Sequence, residues 1–303
     1  MLQPMALPER GPWPHPYYQT PGEKLEVSFL DAQGRDRRVA TYHKVTGSGR
    51  PLVLVHGLMT SSYSWRYVVS DLANHYRVFI PDLVGAGITE KPGDLVYSVE
   101  NVSRFVAAYI HTLNVEPPYL VGNSLGGLYC LKALLDAPGL ARRFVLMHAP
   151  GYPFARMRRF HALVRLPGAE WAFARLLHRF GDAIVARSVH YERDGMLSRE
   201  EVREYGALFR TREGARVFAR TLRESLDPSE HASIIASLRG GLSCPVLVLY
   251  AEGDRLVPPE FGTRFARDLA GASLRWMKGS SHFLQVDQPH RTVEEILSFD
   301  GAS

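Results

Sequence analysis

Cysteine is scarce in this chain of 303 residues, and its two cysteines, Cys130 and Cys244, both lie in apolar stretches. Neither has metal-ligand spacing around it, so the sequence favours neither a zinc site nor a disulfide framework. We predict two buried free thiols, because an unpaired cysteine behaves as a small apolar side chain. Free thiols are typical of a reducing compartment, and we expect a cytoplasmic protein that uses no metal ion or other cofactor.

Long hydrophobic runs are also lacking. The longest, residues 245–251, is far too short to span a bilayer. The N-terminus, Met1 to Gln19, is rich in proline and aromatic side chains but has no charged start followed by an apolar stretch. We therefore predict no signal peptide. Residues 1–24 are expected to form an N-terminal arm that is either mobile or laid over the surface.

The net charge of +5 comes from one segment, because residues 152–240 contain 16 arginines, no lysine and 11 acidic residues. Nucleic-acid binding would call for a basic groove with interleaved aromatic side chains or a known binding module, and the sequence has neither. We predict that the protein does not bind nucleic acid. The arginines are interpreted as the solvated outer faces of helices.

Strand and helix patterns alternate along most of the chain. Two early strands joined at Gly34 predict an antiparallel hairpin, and later apolar runs are typical of strands buried on both faces. Such alternation predicts a mostly parallel sheet with helices on both faces. The predicted strands are 25–30, 37–45, 51–55, 77–80, 119–121, 144–147, 245–250 and 273–277. The predicted helices of this part are 63–74, 99–113, 125–135, 260–269 and one after Pro289.

The alternation stops between residues 152 and 240, where the pattern is helical throughout. We predict a core made of residues 25–151 and 241–303, with residues 152–240 inserted as a helical cap. In an open parallel sheet the ligand site lies beyond the carboxyl ends of the strands. Functional residues are therefore expected where strands end.

The strongest local signal is the stretch Gly122-Asn-Ser-Leu-Gly126, which lies between a predicted strand and a predicted helix. This G-x-S-x-G pattern places a serine on a sharp turn, where its hydroxyl stands clear of the backbone. The flanking glycines let strand and helix approach each other without Cβ clashes. We predict that Ser124 is a catalytic nucleophile.

A serine hydroxyl needs an adjacent base, and the base needs a group that orients it. His282 follows the last predicted strand, and Asp254 follows the strand before it. We predict His282 as the base and Asp254 as its partner. Glu252 is a rival acid that we rank lower, because the strand has not yet released the chain there.

A reacting carbonyl also needs two amides that stabilise its developing negative charge. One comes from the residue after the nucleophile, here Leu125, and the other from a loop after an earlier strand. Gly57 ends such a strand and lets the backbone turn its amides toward the serine. We predict the Leu58 and Leu125 amides as the oxyanion hole.

These motifs together resemble the α/β-hydrolase superfamily, from Leu25 onward and apart from the inserted helices. The resemblance implies an α/β-hydrolase fold: a mostly parallel eight-stranded sheet, helices on both faces and an inserted helical cap. The chain order serine, aspartate, histidine is also that of the family. The residues that carry the resemblance are His56-Gly57, 81–87, Gly122–Gly127, Gly253-Asp254 and Ser281-His282.

The closest similarity is to the capped subgroup of haloalkane dehalogenases, epoxide hydrolases, carbon–carbon bond hydrolases and small-molecule esterases. Residues 60–65 and 81–91 resemble the first two groups, but those enzymes have aspartate where this chain has Ser124. Asn123 resembles the carbon–carbon hydrolases, whose glycine-rich run after the first His-Gly is replaced here by Leu58-Met-Thr-Ser. We therefore expect an esterase-type hydrolase acting on an ester, thioester or lactone. The alternatives are a carbon–carbon hydrolase, an acyltransferase or a non-catalytic ligand-binding relative.

The cap contains an apolar stripe at roughly helical spacing, with arginines between its members and a break at Pro167-Gly168. We predict two helices that form a lid over an apolar pocket, and a hydrophobic, uncharged or weakly anionic acyl substrate. Two alternatives remain: the stripe only packs the cap onto the core, or it lies on a membrane surface. The stripe consists of Met157, Phe160, Leu163, Val164, Trp171, Phe173, Leu176, Leu177 and Phe180.

Overall fold

The computed structural model describes residues 7–301, which form an eight-stranded sheet with strand order β1-β2-β4-β3-β5-β6-β7-β8. β1 pairs antiparallel with β2, and β2 pairs antiparallel with β4, whereas every later pairing is parallel. The mostly parallel eight-stranded sheet predicted from the sequence is confirmed. Its strands are β1 Gly22–Leu30, β2 Asp36–Thr46, β3 Pro51–Val55, β4 Arg77–Pro81, β5 Tyr119–Asn123, β6 Arg143–Met147, β7 Val246–Ala251 and β8 Ser273–Met277.

The central strands are buried on both faces, as their continuous apolar runs predict. In β3, Leu52 and Leu54 belong to one hydrophobic cluster, and Val53 and Val55 belong to the other. This division follows from the two-residue period of a strand. α2, α3 and α9 pack on the Val53 side, and α1 and α11 pack on the Leu52 side. The helices around the sheet are α1 Val69–Ala73, α2 Val99–Thr112, α3 Leu125–Asp136, α9 Glu260–Asp268, α10 Leu284–Asp287 and α11 Pro289–Asp300.

The predicted helix 63–74 is wrong in its first half. The chain forms a 3₁₀ turn at Ser62–Trp65, and the helix α1 begins only at Val69. Residues 61–69 are all buried, so this segment has no solvent face and follows no amphipathic period. The Ser62 amide donates to Asp82 Oδ1 at 2.7 Å, which also takes it out of a regular helix.

Between β6 and β7 the chain is helical, and we call residues 155–240 the helical insertion. α4 and α5 are separated at Pro167-Gly168, as predicted, and Gly168 has a φ of 78°. Side chains cap three of the helices, because Ser198, Thr211 and Asp227 accept amides at the starts of α6, α7 and α8. The helices are α4 Ala155–Val164, α5 Ala169–Ser188, α6 Arg199–Gly206, α7 Arg212–Ser225 and α8 Pro228–Ala236, with 3₁₀ turns at Ala207–Arg210 and Ser237–Gly240.

The described part of the N-terminal arm lies over the surface, which is one of the two predicted outcomes. The Pro8 and Glu9 carbonyls accept the first amides of α6, and Tyr17 is buried with its hydroxyl 2.8 Å from Ser62 Oγ. Residues 1–6 lie outside the described residues, and β1 begins earlier than the predicted residue 25.

Cys130 and Cys244 are free and buried, as predicted, and burial raises the pKa of the Cys244 thiol to about 11. Among residues 7–301, none of the helices has the length and apolar character needed to cross a membrane.

Candidate functional site

Ser124, Asp254 and His282 meet at the carboxyl edge of the sheet, after β5, β7 and β8 respectively. Ser124 and His282 both line a cavity of about 430 Å³, and Asp254 is buried behind His282. Parallel strands end at the same edge, which is why residues distant in the chain converge there.

The backbone at Ser124 adopts a conformation that non-glycine residues rarely take. Its φ is 54° and its ψ is −129°, and α3 begins at the next residue. The turn is tight, because a Cβ at Gly122 would lie 2.7 Å from the Gly127 Cα, and one at Gly126 would lie 2.2 Å from the His56 carbonyl oxygen. The glycines of the motif therefore allow the close approach that keeps Ser124 at the cavity wall.

His282 and Asp254 form a buried hydrogen-bonded pair. His282 Nδ1 lies 2.7 Å from Asp254 Oδ2, while Asp254 Oδ1 accepts the Leu256 amide at 2.7 Å and the Val257 amide at 3.0 Å. Burial opposes ionisation of the carboxyl, but His282 and the hydrogen bonds it receives hold the pKa of Asp254 well below its usual range. Glu252, the rival acid, is exposed and makes no hydrogen bond to His282 in the described chain.

The contact with Asp254 determines which ring nitrogen of His282 carries the proton. Since an ionised carboxylate only accepts, Nδ1 carries the proton and Nε2 holds the lone pair. Among residues 7–301 no hydrogen bond joins Ser124 Oγ to His282. Such contacts are often long in a site without ligand and shorten when substrate binds.

Leu58 and Leu125, whose amides are the predicted oxyanion hole, line the same cavity as Ser124. Leu125 is the first residue of α3, so its amide has no acceptor within the helix. A Cβ on Gly57 would lie only 2.9 Å from the Ser124 Cβ, so the Gly57–Leu58 peptide lies close to the serine. Neither amide donates to a protein acceptor in the described part of the chain.

His56 holds the Gly57–Leu58 peptide in place, a role that sequence reasoning missed. Its Nδ1 donates to the Gly57 carbonyl at 2.8 Å, and its Nε2 accepts the Leu83 amide at 3.0 Å. Thr60 donates to the same carbonyl at 2.9 Å. Because the carbonyl and the amide of a trans peptide point in opposite directions, this clamp leaves the Leu58 N–H on the other side.

His148 is a second histidine on the same carboxylate, and sequence reasoning did not identify it. It follows β6 at a φ of 48°, is buried, and places Nδ1 2.7 Å from Asp254 Oδ2. Among residues 7–301, the cluster of side chains close enough together to bind a metal ion consists of His148, Asp254 and His282. Their potential ligand atoms lie within 4.8 Å of one another. Each Nδ1 faces the carboxylate as a donor, so hydrogen bonds account for the cluster and we assign it no metal.

The apolar stripe of the helical insertion divides into three sets. Met157, Val164 and Leu177 are buried, and Phe160 and Phe173 are half-buried in the cavity wall. The remaining members point to solvent, and the largest exposed fraction is 64%, at Trp171. Met157 and Leu177 also line the cavity, so the same residues pack in the insertion and form part of the pocket wall. The exposed members are Leu163, Trp171, Leu176 and Phe180.

Comparison with known proteins identifies the family. Residues 50–289 match the family model described as the alpha/beta hydrolase fold. The chain belongs to this family. It is thus a hydrolase of the α/β fold, as the sequence motifs imply.

Several relatives of known name are similar over most of their length. The chain is 27% identical over 266 residues to the uncharacterized hydrolase YugF of Bacillus subtilis, covering 85% of this chain and 93% of the relative. It is 28% identical over 263 residues to the 2-hydroxy-6-oxo-2,4-heptadienoate hydrolase of Pseudomonas putida, covering 84% and 90% respectively.

Solved structures agree on the fold. The epoxide hydrolase CorEH superposes with a TM-score of 0.76 at 20% identity, covering 92% of this chain and 99% of that one. An esterase from Thermogutta terrifontis superposes with a TM-score of 0.69 at 20% identity, covering 91% and 97%. These neighbours are named for different reactions, so the reaction of this α/β hydrolase has to be argued from its own site.

Proposed function

We propose that this α/β hydrolase is a serine hydrolase that cleaves an ester-type bond of a small, mainly hydrophobic substrate. The observation that carries the proposal is that Ser124, on its sharp turn, and His282 line the same apolar cavity, with Asp254 buried behind the histidine. A carboxylester, thioester or lactone fits this arrangement equally well.

In the proposed reaction, Ser124 Oγ attacks the acyl carbonyl while His282 Nε2 takes the hydroxyl proton. The Leu58 and Leu125 amides donate to the oxyanion, which is usually the largest catalytic contribution. When the intermediate collapses, the bond to the leaving group breaks and His282 returns the proton to that group. Water, activated by His282, then releases the acid from Ser124. Asp254 keeps His282 in the required tautomer throughout.

The cavity supports an uncharged, apolar acyl group. Its wall opposite the turn is formed mainly by aromatic and aliphatic side chains of α4, α5 and α7, including Phe160, Phe173 and Phe218. We therefore propose that the predicted cap, residues 152–240, covers the site and determines substrate selection. A pocket of this size and composition is typical of small-molecule sites.

Carbon–carbon bond cleavage is the second candidate, because two relatives are named as hydrolases of 2-hydroxy-6-oxo-dienoates. Such a substrate carries a carboxylate, which needs a cationic partner when it is buried. Among the described residues that line the cavity, Arg156 is the only lysine or arginine. Its guanidinium donates to the Arg255 and Leu256 carbonyls. Both terminal nitrogens of Arg156 thus have acceptors, and the rest of the lining is mainly apolar, which favours an uncharged ester over a dienoate.

A fluorophosphonate probe tests the nucleophile directly. We expect stoichiometric labelling of the wild-type protein and none of Ser124→Ala, whose ester hydrolysis should fall on the order of 10³-fold or more while its Tm stays close to wild type. A folded Ser124→Ala protein with wild-type turnover would overturn the assignment. An unlabelled wild-type protein would instead support a non-catalytic ligand-binding relative.

A series of p-nitrophenyl esters from acetate to octanoate tests the acyl site. Each buried methylene is worth about 0.8 kcal/mol, so kcat/KM should rise roughly threefold to fourfold per methylene until the cavity is full. Flat values across the series would contradict an apolar acyl site. Faster turnover of a 2-hydroxy-6-oxo-dienoate than of any ester would favour carbon–carbon cleavage, and dominant ester formation with added alcohol would favour acyl transfer.

A further inference from the structure

The Asp254 carboxylate is shared by two histidines. His148 and His282 each place Nδ1 2.7 Å from Asp254 Oδ2, and their ring centroids are 5.2 Å apart. The other oxygen accepts the Leu256 and Val257 amides. A carboxylate offers about four lone-pair sites, so this one has a donor for each of them.

His148 is held as a neutral donor. Its contact with an acceptor-only carboxylate places its proton on Nδ1, and its buried Nε2 has no hydrogen-bond partner among the described residues. Burial lowers the pKa of His148 despite the neighbouring Asp254, because the charged form would leave a second buried N–H unsatisfied. The Tyr250 ring lies 5.1 Å from the imidazole and its hydroxyl donates to the Ala149 carbonyl, which fixes the pocket around His148.

We propose that His148 is a positioning residue of the site: it fixes Asp254 by a hydrogen bond and weakens the hold of that carboxylate on the imidazolium form of His282. The inference rests on the proposed function, in which His282 must be deprotonated to accept the Ser124 proton. A carboxylate that already accepts from His148 has less charge to offer His282. The imidazolium form of His282 is therefore stabilised less than it would be by a carboxylate without this second donor.

Other titratable groups surround the three side chains. Asp287 accepts the Ser281 amide at 2.7 Å and the Glu192 amide at 2.9 Å, and its charge acts on His148. The Glu192 carboxylate lies beside Gly253, next to Asp254. These carboxylates favour a positive charge on either histidine, so they oppose the effect that we assign to His148. Both carboxylates are present in the wild type and in the variants below, so their effect on His282 does not contribute to the difference between these proteins.

Two substitutions at His148 distinguish the loss of its hydrogen-bond donor from the loss of its side-chain volume. Asparagine accepts the positive φ of residue 148 and its amide can donate to Asp254, so His148→Asn is the rescue variant. Leucine has a similar size but no donor, so His148→Leu removes the hydrogen bond. Thermal unfolding of both variants, compared with the wild type, shows whether the Leu variant retains the fold.

The first readout is the rate of fluorophosphonate labelling across the acid limb of its pH profile. Loss of the hydrogen bond from His148 leaves more of the carboxylate charge for His282, so the midpoint should move upward by about one pH unit in His148→Leu. We expect His148→Asn to keep the wild-type midpoint. Equal midpoints in all three proteins, or a slower rate at every pH without a shift, would overturn the inference.

The second readout needs no reaction. Proton NMR should show two far-downfield imidazole N–H signals bonded to the carboxylate in the wild type and one in each variant, and His282 should titrate at higher pH in His148→Leu. One signal in the wild type, or an unchanged His282 titration, would overturn the inference even if the Leu variant labels poorly. If the wild type is not labelled at any of the pH values, the proposed function is overturned. The role of His148 is still decided in that case, because the NMR titration needs no reaction.

Discussion

The buried pair Arg66–Glu201 joins the sheet domain to the helical insertion, and its loss should be one of the most destabilising changes in the chain. Arg66 Nη2 lies 3.0 Å from Glu201 Oε1, and both side chains are 0% exposed. Tyr63 and Tyr67 flank the guanidinium, with ring centroids 4.4 and 4.3 Å from Arg66 Cζ. Arg66 follows the 3₁₀ turn after β3, whereas Glu201 lies in α6 and also accepts the Tyr191 hydroxyl.

Glu201→Gln should lower the free energy of unfolding by about 3–5 kcal/mol, because it leaves the Arg66 charge buried without a partner. That is a large share of the 5–15 kcal/mol typical of a folded domain. Urea denaturation followed by circular dichroism and tryptophan fluorescence measures the change. Arg104→Ala is the matched control, since the Arg104–Glu100 pair joins partly exposed groups at 2.8 Å and should contribute less than about 1 kcal/mol.

A double variant checks the explanation. In Arg66→Met with Glu201→Leu, both charges are replaced by apolar groups of similar size, so most of the lost stability should return. A loss below about 1 kcal/mol in Glu201→Gln would refute the reasoning, because it would mean that water reaches the pair. Two separate unfolding transitions would instead mean that the insertion unfolds apart from the sheet once the pair is broken.

Three further predictions concern the site. Asp254→Asn should lower the rate of ester hydrolysis on the order of 10⁴-fold, because it favours the wrong His282 tautomer. Glu252→Gln should leave kcat/KM nearly unchanged. A larger effect of the Glu252 change would mean that the acid is misassigned. Gly57→Ala places a methyl group 2.9 Å from the Ser124 Cβ and should lower kcat by about tenfold or more with little change in Tm, and an unchanged kcat would show that the turn adapts. The pKa of Asp254 is lowered from 3.8, so its ionised form stabilises the fold above about pH 4 and this contribution is lost as the pH falls below that value. The free energy of unfolding should therefore fall more steeply with acid in the wild type than in Asp254→Asn, and equal slopes would contradict this.

The sheet and the positions of Ser124, Asp254 and His282 could be predicted because their signals are local. A strand buried on both faces is a continuous apolar run, and a residue that follows such a run lies at the carboxyl edge whatever the rest of the chain does. The helix predicted at 63–74 failed for the converse reason. Residues 61–69 are buried on all sides, so burial there depends on the N-terminal arm and α6, which no local period reveals.

His148 could not be singled out among the 12 histidines. Its contact with Asp254 depends on the register of β6 against β7, in which Met147 pairs with Leu249, so that the residue after β6 lies beside the loop after β7. Strand register is a property of the assembled sheet. The sequence signal for His148 was that it comes directly after a strand, as Ser124 does. This signal points to the site only when the neighbouring strand is known.

The two parts of the site are held by different kinds of structure, and this determines which of them can vary. Ser124, Asp254 and His282 follow strands that are packed on both faces, so their positions are fixed by the most buried part of the molecule. Phe160 and Phe173 lie on α4 and α5, which pack on each other and on α7 and carry exposed apolar residues and arginines on their outer side. If the proposed function is correct, substitutions in the cavity wall should change which acyl groups are accepted without altering the rate at which a fluorophosphonate labels Ser124. An epoxide hydrolase and an esterase share this fold with the chain, so the fold alone does not determine the reaction, and the side chains at the sheet edge and in the cavity wall have to be tested separately.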